Sequence, residues 1–427
     1  MKRKTASFSI QNVDVCKQQM LSWANRFNIC CFLDNHQYHS AHQSVECMAA
    51  AGAIQDFSPK EDILAQLSAF SKTHNDWLFG HINYDLKNEL APLQSRHPDY
   101  IGFPDIFFFQ PETVLQLKNN VLIISSVNDP ATIYKELTEN FPSMDHGSWT
   151  IDIHSRIPKQ QYIETLEKIR SHIQRGDCYE LNFCQEFYAT GVNIHPLQVY
   201  KQLTTISPNP FSCFYKLDDK FVLCASPERY LQKKGDHILS QPIKGTFKRN
   251  LENTKADNEL KLQLQQSEKD KSENVMVVDL VRNDLSKVCK EGTVKVDELF
   301  GVYSFPQVHQ MISTITGELK EGIDLSDILK ASFPMGSMTG APKRKVMELI
   351  EQYEKTKRGV YSGAVGYISP EKDFDFNVVI RSILYNATNH YLSYLVGGGI
   401  TFYSDPETEY AECLLKAEAI KQVLQGG

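Results

Sequence analysis

Two glutamates and a lysine share one face of the last helix that the sequence predicts. Glu409, Glu412 and Lys416 stand at positions i, i+3 and i+7, which places them on a common side of the helix. Carboxylate oxygens with open positions suit Mg²⁺, which proteins usually hold with one or two carboxylates plus water or substrate oxygens. The helix alone favours a plainer interpretation, a solvated acidic stripe with a Glu412–Lys416 ion pair. Further residues are needed to separate the two interpretations.

A second candidate metal ligand lies in the segment SEKDKSENVMVVDLVRNDLSKV, residues 267–288. Met276, Leu280 and Val281 predict a helix packed on the core, and Glu273 comes just before its apolar section. As a pattern, Glu273 is only a first-turn glutamate that stabilises the helix dipole. Its role as a metal ligand is therefore a hypothesis at this point.

Two glycine-containing segments suggest anion binding. Gly397–Gly399 follow a predicted strand, where they could form a plain turn or let backbone amides approach a carboxylate. They do not form a GxGxxG dinucleotide loop. The segment GSMTGAPK, residues 336–343, has the wrong spacing for a Walker loop, and Pro342 removes an amide donor. A GxSxG elbow and a recognisable cysteine nucleophile are both missing, so hydrolase chemistry has no support.

The elements that must position these residues are helices and strands mixed along the whole chain, which predicts an α+β fold. Spacing of Ile163, Leu166 and Ile169 predicts a helix from Pro158 to Gln174. The runs that predict strands, the last two as a hairpin, are Ile29–Leu33, Trp77–Ile82, Asp105–Phe109, Thr113–Leu117, Val121–Ser125, Phe221–Ala225, Gly363–Ile368, Val378–Tyr385 and Tyr391–Val396.

The final helix and one boundary complete this outline. Asp405 and Pro406 predict the first turn of the helix, and its apolar side is formed by Cys413, Ala417, Ile420 and Leu424. The stretch from 128 to 152 is rich in Pro, Asn, Asp, Ser and Gly, which makes it the best boundary candidate. We therefore expect an N-terminal region, residues 1–150, and a second region, residues 151–427, within one compact unit.

Composition excludes several classes of protein. Hydrophobic residues make up 41% and charged residues 23%, as in soluble globular proteins. A net charge of −7 without a Lys/Arg cluster gives no support for nucleic-acid binding. No apolar run approaches the roughly 20 residues of a membrane span, and no signal peptide follows the basic N-terminus. The ten cysteines contain no CxxC pair, so we expect reduced thiols and a cytoplasmic location.

Six segments in series carry a resemblance to a known family. They resemble the chorismate-utilising enzymes, which include anthranilate, isochorismate, salicylate and aminodeoxychorismate synthases, over about residues 158–424. The resemblance implies layered β-sheets that enclose the chorismate site, with helices outside. The six segments are PIKGT (242–246), SEN with VDLVRNDL (272–285), FPMGSMTGAPK (333–343), RGVYSGAVGYIS (358–369), VVIRS (378–382) and VGGGITFYSDPETEYAE (396–412).

The resemblance also implies roles for the candidate residues. Glu273 and Glu412 match the magnesium ligands of the family, with Glu409 close by. The metal would clamp the ring carboxylate of chorismate and stabilise charge as the 4-hydroxyl leaves. Arg381 and Tyr361 match residues that hold the enolpyruvyl side chain. The anion cradle is completed by Gly245, Thr246, Gly397, Gly398, Gly399 and Lys416.

Two further matches concern proton transfer. His309 matches the family's active-site histidine near the leaving hydroxyl, and Glu228, in ASPERY, matches its general acid/base. Both are catalytic residues by resemblance only.

The third position of PIKGT divides the family. Anthranilate synthases resemble this chain except for an alanine there, which leaves ring carbon 2 open to ammonia. Aminodeoxychorismate synthases carry a lysine, as this chain does at Lys244. The resemblance implies that Lys244 attacks carbon 2 and expels the 4-hydroxyl, after which ammonia adds at carbon 4 and displaces the lysine. Anthranilate synthase component I is the alternative.

Lys244 must be neutral to attack, whereas a free lysine has a pKa of about 10.4. We expect burial and the nearby Mg²⁺ to lower the pKa of Lys244, against the effect of the substrate carboxylates.

The chain departs from the family pattern at a few positions. Gln241 replaces an arginine and Glu180 replaces a glutamine, and we expect neither to contact Lys244. The FLDN segment, residues 32–35, lacks the serine of the family's tryptophan pocket, which leaves feedback control by tryptophan open. The chain has no GxCxGxQ-like glutaminase motif, so the ammonia is expected from a separate glutamine amidotransferase subunit.

Overall fold

The computed structural model describes residues 2–38, 42, 46–139, 149–305 and 307–426. Within these ranges the strands form two antiparallel sheets, a large sheet of twelve strands and a small sheet of ten. The strands are β1 (Lys4–Ser9), β2 (Ile29–Asp34), β3 (Cys47–Ala51), β4 (Gln55–Phe57), β5 (Leu78–Ile82), β6 (Ile106–Gln110), β7 (Thr113–Lys118), β8 (Val121–Ser126), β9 (His154–Ser155), β10 (Glu180–Thr190), β11 (Phe211–Leu217), β12 (Lys220–Ser226), β13 (Arg229–Lys234), β14 (His237–Gln241), β15 (Ile243–Lys248), β16 (Lys295–Ser304), β17 (Val308–Glu318), β18 (Gly340–Ala341), β19 (Ala364–Ile368), β20 (Phe374–Asn377), β21 (Ser382–Asn386) and β22 (Tyr391–Ile400).

Both sheets mix strands that are distant in sequence. The large sheet runs in the order β1-β8-β7-β3-β2-β11-β12-β21-β22-β10-β18, with β9 also paired to β10. The small sheet runs in the order β15-β17-β14-β13-β20-β19-β5-β6-β4, with β16 also paired to β17. Each sheet thus contains strands from both sides of residue 150. The division into two regions stays a prediction, and residues 140–148 of the candidate boundary lie outside the described part of the chain.

Helices cover the outer faces of the sheets. The α-helices are α1 (Val13–Ala24), α2 (Ile63–Thr73), α3 (Lys87–Leu90), α4 (Pro130–Glu139), α5 (Lys159–Gln174), α6 (Pro196–Ile206), α7 (Thr254–Gln266), α8 (Glu268–Val288), α9 (Leu325–Ser332), α10 (Lys343–Tyr353), α11 (Pro406–Lys416) and α12 (Glu418–Leu424). Among the described residues, no helix combines the length and apolarity needed to cross a membrane.

The core has two parts because the large sheet is buried on both faces. Along β2, Cys31 belongs to the cluster shared with the small sheet and with α2, α8 and α9, whereas Cys30 and Phe32 belong to the cluster under α1, α4, α5, α6, α10 and α12. Alternate side chains of a strand point to opposite faces, so a strand between two apolar layers becomes apolar throughout. His81 of β5 bonds the Tyr215 hydroxyl of β11 at 3.0 Å and joins the two sheets. These layers confirm the predicted α+β class.

The chain passes between the sheets twice at one place. It leaves β12 of the large sheet for β13 of the small sheet through residues 227–228, and it returns from β20 to β21 through residues 378–381. Because β12 pairs with β21 and β13 pairs with β20, the two crossovers run side by side. The Val378 N–H donates to the Glu228 carbonyl at 3.0 Å and fastens one crossover to the other. Glu228 and Arg381 therefore lie together where the sheets separate.

Most predicted elements are confirmed to within a few residues at their ends, and two are wrong in a way that matters for the site. The strand predicted at Val378–Tyr385 is interrupted, since β20 ends at Asn377 and β21 begins at Ser382. Arg381 has a φ of +50°, which regular strands do not contain. The final helix starts as predicted, with Asp405 accepting from the Thr408 N–H, but it divides into α11 and α12.

A buried arginine ties the end of α10 to β10. The Arg358 side chain is 1% exposed and donates to both carboxylate oxygens of Glu354, at 2.6 and 3.0 Å. It also donates to the carbonyls of Met338 and Asn182, at 2.6 and 2.7 Å. Glu354 in turn accepts from the Cys184 N–H at 2.9 Å. Since Asn182 and Cys184 lie on β10, this ion pair fixes the strand beneath the candidate site.

Glu354→Ala should destabilise the protein strongly, because it leaves the Arg358 charge buried without a counter-charge. We expect a loss of about 3–5 kcal/mol in the free energy of unfolding, measured by urea denaturation. Glu348→Ala is the matched control on α10, where Glu348 pairs with Arg344 at 3.6 Å and the side chains are 40% and 73% exposed. It should cost less than about 1 kcal/mol. Equal losses in the two variants would contradict this account.

Candidate active site

The candidate site lies beside the double crossover, where β10 and β22 of the large sheet face β15 of the small sheet. Glu180 begins β10, and Gly399 of β22 is paired opposite Asn182 of β10. Lys244 comes from β15, which lies at one end of the small sheet. The register between β15 and β17 shifts between Ile243 and Thr246. Such an irregularity re-aims the side chains within it, and here it turns Lys244 toward β10.

Lys244 and Glu180 form an ion pair that links the two sheets. Lys244 Nζ donates to Glu180 Oε1, and the side chains are 11% and 3% exposed. A Cβ at Gly399 would overlap Glu180 Oε1 and lie 2.5 Å from Lys244 Nζ, so only glycine leaves room for the pair. The expectation that Glu180 does not contact Lys244 is wrong. The glycines 397–399 also prove to be part of β22 rather than a turn.

The charge of Lys244 is set by the carboxylates around it. Burial acts to lower the pKa of Lys244, but the charges of Glu180, Glu273 and Glu228 outweigh it, and the pKa is raised above its ordinary value. The expected lowering is therefore not found in the protein by itself. Lys244 is a cation here, and it must lose a proton before its amine can attack anything.

Glu228 is a titratable group suited to move a proton near neutral pH. Its side chain is buried, and burial raises the pKa of Glu228 to about 7, against hydrogen bonds from Ser337 and the Ile243 N–H and the charge of Lys244. Because Ile243 directly precedes Lys244, this contact keeps the carboxyl group beside the base of the lysine. A group with this pKa can give and take protons efficiently at neutral pH.

The Arg381 guanidinium also belongs to this site. Arg381 lies on the crossover from β20 to β21, residues 378–381. Burial lowers the pKa of Arg381 to about 10, and among the described residues Glu228 is the carboxylate whose charge opposes this effect. A half-buried guanidinium with so little counter-charge is suited to bind an anion.

The next three predicted binding residues are Tyr361, Gly245 and Thr246. The Tyr361 side chain is buried, and its hydroxyl lies 3.8 Å from Cys184 Sγ. Gly245 has a φ of +92°, and a Cβ there would lie 3.0 Å from Leu264 of α7. Thr246 is exposed. Their predicted parts in an anion cradle stay predictions.

His309 makes its contacts away from Lys244. Its Nδ1 lies 2.9 Å from Ser304 Oγ, and its Nε2 lies 3.1 Å from Asp257 Oδ1. Asp257 is also paired with Arg249 at 2.7 Å. With both ring nitrogens engaged in this way, the predicted role of His309 at a leaving hydroxyl stays a prediction.

Carboxylates from α8 and α11 gather around the ammonium of Lys269. Lys269 Nζ lies 3.9 Å from Glu273 Oε1 and 3.6 Å from Glu409 Oε1, and the charge of Glu412 also acts on it. Glu273 Oε1 is buried and has no hydrogen-bond partner among the residues that the structure describes, and burial raises the pKa of Glu273 to about 7. Glu409 is buried and accepts from Ser404 Oγ at 2.7 Å. The acidic stripe is therefore not simply a solvated helix face.

The remaining predicted cation belongs to the same cluster. Lys416 Nζ pairs with Glu412 at 2.9 Å, as the plainer interpretation of the helix predicted, and donates to the Gly397 carbonyl at 3.2 Å. A Cβ at Gly398 would lie 3.5 Å from Lys416 Nζ. These contacts place α11 against the glycine section of β22.

The donor set fits a hard cation that takes further ligands from elsewhere. Within the described part of the chain, no group of three or more His, Cys, Asp and Glu side chains is close enough to hold a metal by itself. Mg²⁺ needs fewer protein ligands, because it keeps waters and uses substrate oxygens. Glu273 Oε1 fits such a site, because it lies beside the Lys269 ammonium, which also pairs with Glu409.

The structure brings together Lys244, Glu228, Glu273, Arg381 and the glycines of β22, all of which the sequence analysis named, and it adds further residues to the site. Glu180 was noted only as a departure from a pattern, and that departure was the signal available. Ser337 and Lys269 gave no signal, since a serine in a loop and a lysine in a charged helix are ordinary residues.

Comparison with known proteins identifies what the chain is similar to. The model of the chorismate binding enzyme family matches residues 26–422. Aminodeoxychorismate synthase component 1 of Escherichia coli (strain K12) is 34% identical over 83% of this chain and 79% of its own length. Anthranilate synthase component 1 of Saccharolobus solfataricus is 32% identical over 81% and 80%. The crystal structure of anthranilate synthase component I from Streptococcus pneumoniae TIGR4 has a TM-score of 0.76 at 25% identity, over 90% of this chain and 95% of that one.

Proposed function

The chain belongs to the chorismate binding enzyme family, and we propose that it aminates chorismate at carbon 4 to give 4-amino-4-deoxychorismate, on the route to 4-aminobenzoate and folate. The observation that carries the proposal is the position of Lys244, whose amine projects over Gly399 between the two sheets. A nucleophile fixed in this place can occupy carbon 2 of a bound ring and direct ammonia to carbon 4. The similarity to aminodeoxychorismate synthases supports the same activity.

The charges of the site complement the two carboxylates of chorismate. The Arg381 guanidinium can bind the enolpyruvyl carboxylate through two parallel hydrogen bonds, with Tyr361 buried nearby. The ring carboxylate then faces α8 and α11, where Glu273 and Glu412, with Glu409 beside them, would hold Mg²⁺. When bound there, the metal supplies positive charge to the ring carboxylate and to the leaving 4-hydroxyl. Lys416 adds a further cation at the glycine strand.

The reaction divides one difficult substitution into two allylic displacements. The neutral Lys244 amine forms a bond to carbon 2, the two ring double bonds shift, and the bond between carbon 4 and its oxygen breaks. The hydroxyl leaves as water with a proton from Glu228. Ammonia then bonds to carbon 4, the double bonds return, and the bond between Lys244 and carbon 2 breaks. Glu228 regains its proton from the new ammonium group.

Ammonia is supplied, in this proposal, by a separate glutamine amidotransferase subunit. The support is the missing glutaminase motif, together with the designation "component 1" of the bacterial relatives. The second candidate function is that of anthranilate synthase component I, which the 32% identical relative favours. Lys244 opposes it, because a lysine over Gly399 blocks the direct approach of ammonia to carbon 2.

Lys244→Ala should change the position of amination as well as the rate. Without the amine, carbon 2 becomes open, so the remaining product should be 2-amino-2-deoxyisochorismate or anthranilate rather than the 4-amino isomer. Chromatography of the products formed from chorismate, Mg²⁺ and an ammonium salt measures this. If Lys244 only neutralised a substrate carboxylate, the variant would bind chorismate more weakly and still aminate carbon 4. Undiminished 4-amino product at saturating chorismate would refute the covalent mechanism.

Glu228 should control the alkaline side of the pH profile. Its pKa is about 7, and it must be protonated to give a proton to the leaving hydroxyl, so activity should fall as the pH rises through the neutral range. Glu228→Gln should remove this dependence and lower kcat by roughly 100-fold or more. The measurement is kcat against pH for both proteins. A variant that keeps the same alkaline decline would exclude Glu228 as the acid.

Glu273→Gln should weaken the response to Mg²⁺ more than it affects folding, because Oε1 of the substituted carboxylate accepts no hydrogen bond within the described part of the chain. We expect the magnesium concentration for half-maximal activity to rise by at least about 10-fold. Glu268→Gln is the matched control, since Glu268 is on the same helix and its side chain is 87% exposed. Direct titration with Mn²⁺ separates metal binding from activity. Identical titrations for both variants would count against a metal at Glu273.

A further inference from the structure

We propose that Glu180 is the base that takes the proton from Lys244 before the amine attacks carbon 2. The inference rests on the proposed function, since it assumes that Lys244 is the nucleophile. It starts from a requirement: the lysine is a cation in the resting protein, and a cationic ammonium has no electron pair to give. Some group in contact with Nζ must therefore accept a proton.

Glu180 is the acceptor in contact with that nitrogen. Its Oε1 already receives a hydrogen bond from Lys244 Nζ, within the space that Gly399 leaves open. Glu228 and Glu273 influence Lys244 through their charges, but among the described residues neither forms an ion pair with it. In the proposed mechanism Glu228 already carries the proton that it gives to the hydroxyl, so it is not free to accept one from Lys244. Glu180 is left as the partner for this step.

The surroundings of the pair favour transfer once a ligand is bound. The side chains of Lys244 and Glu180 are 11% and 3% exposed, so a ring bound above them would remove the little water that remains. Loss of water disfavours two separated charges more than two neutral groups. Transfer of a proton within the pair leaves its total charge unchanged, so the other charged groups of the site oppose it less than they oppose loss of a proton to solvent.

The step balances in atoms and charge. An N–H bond of the Lys244 ammonium breaks and an O–H bond forms on Glu180, which leaves a neutral amine and a neutral carboxylic acid. The nitrogen electron pair then forms the bond to carbon 2. After ammonia has displaced the lysine as a neutral amine, Glu180 returns its proton and the resting ion pair is restored.

A glutamine at position 180 could hold Lys244 through a hydrogen bond, but its amide could not accept a proton in this range of pH. The carboxylate of Glu180 can therefore supply a base as well as a contact. It also holds Lys244 in place, and the experiment has to distinguish the two effects.

The test measures adduct formation in a single turnover, with enzyme in excess over chorismate, Mg²⁺ present and ammonia absent. Mass spectrometry of the intact protein and of the peptide containing Lys244 follows the addition of chorismate less water. In the unsubstituted protein the adduct should form rapidly. Glu180→Gln keeps the shape of the side chain but not its basicity, and should slow adduct formation by roughly 100-fold, as expected for the loss of a general base. Chorismate binding, measured by calorimetry, should change little.

Chemical rescue separates the base from a positioning role. Glu180→Ala should be slow in the same assay, and added formate should restore adduct formation, whereas chloride at the same ionic strength should not. Glu186→Gln is the matched control, because Glu186 is a buried carboxylate on β10 that pairs with Arg156 at 2.9 Å. It should form the adduct at the normal rate.

Each possible result bears on the role of Glu180 or on the proposed function. Adduct formation by Glu180→Gln at the normal rate would overturn the role of Glu180 while leaving the covalent mechanism intact. A slow Glu180→Ala variant that formate does not restore would reduce Glu180 to a positioning residue. If Glu180→Gln fails to fold, as judged by circular dichroism, Glu180→Asp takes its place and should retain part of the rate. Absence of any adduct in the unsubstituted protein would overturn the proposed function itself.

Discussion

The chain changes sheets twice at the same place, and the two crossovers have to move together because their flanking strands are paired in both sheets. A hydrogen bond from the Val378 N–H to the Glu228 carbonyl joins them where they meet the small sheet. The geometry leaves two short segments without sheet partners, and the side chains of Glu228 and Arg381 come from these segments. The groups proposed as the acid and as the anion-binding residue are thereby fixed relative to each other by backbone pairing, which is much stiffer than contacts between side chains would be.

Charge balance in the site differs from that of the protein as a whole. The chain carries a net charge of −7, which repels a dianionic ligand at long range. Inside the site, Lys244, Lys269 and Lys416 are paired with carboxylates, whereas Arg381 has little counter-charge. These pairings neutralise the lysines before a ligand arrives. A bound dianion adds negative charge to the site and a bound divalent cation adds positive charge. Each should therefore strengthen the binding of the other.

The sequence predicts the elements better than the contacts between them. Apolar runs such as Ile29–Leu33 are visible because a strand between two apolar layers, as β2 is, becomes apolar on both sides. The interruption after Asn377 is not visible, because VVIRS has strong strand propensity and the left-handed conformation of Arg381 depends on tertiary pairing. The contact between Glu180 and Lys244 joins different sheets across 64 positions. No local pattern encodes such a distance, so Glu180 could be recognised only as an unusual residue.

The cysteines have a practical consequence. All ten are free thiols, and all are buried. Burial removes access for large reagents and, for a thiol such as Cys30, raises the pKa to about 12, so the reactive thiolate is scarce. We therefore expect maleimides to react little with the folded protein. A single cysteine introduced at an exposed position, for example in place of Lys135 on α4, could carry a fluorophore or spin label without removal of any native thiol.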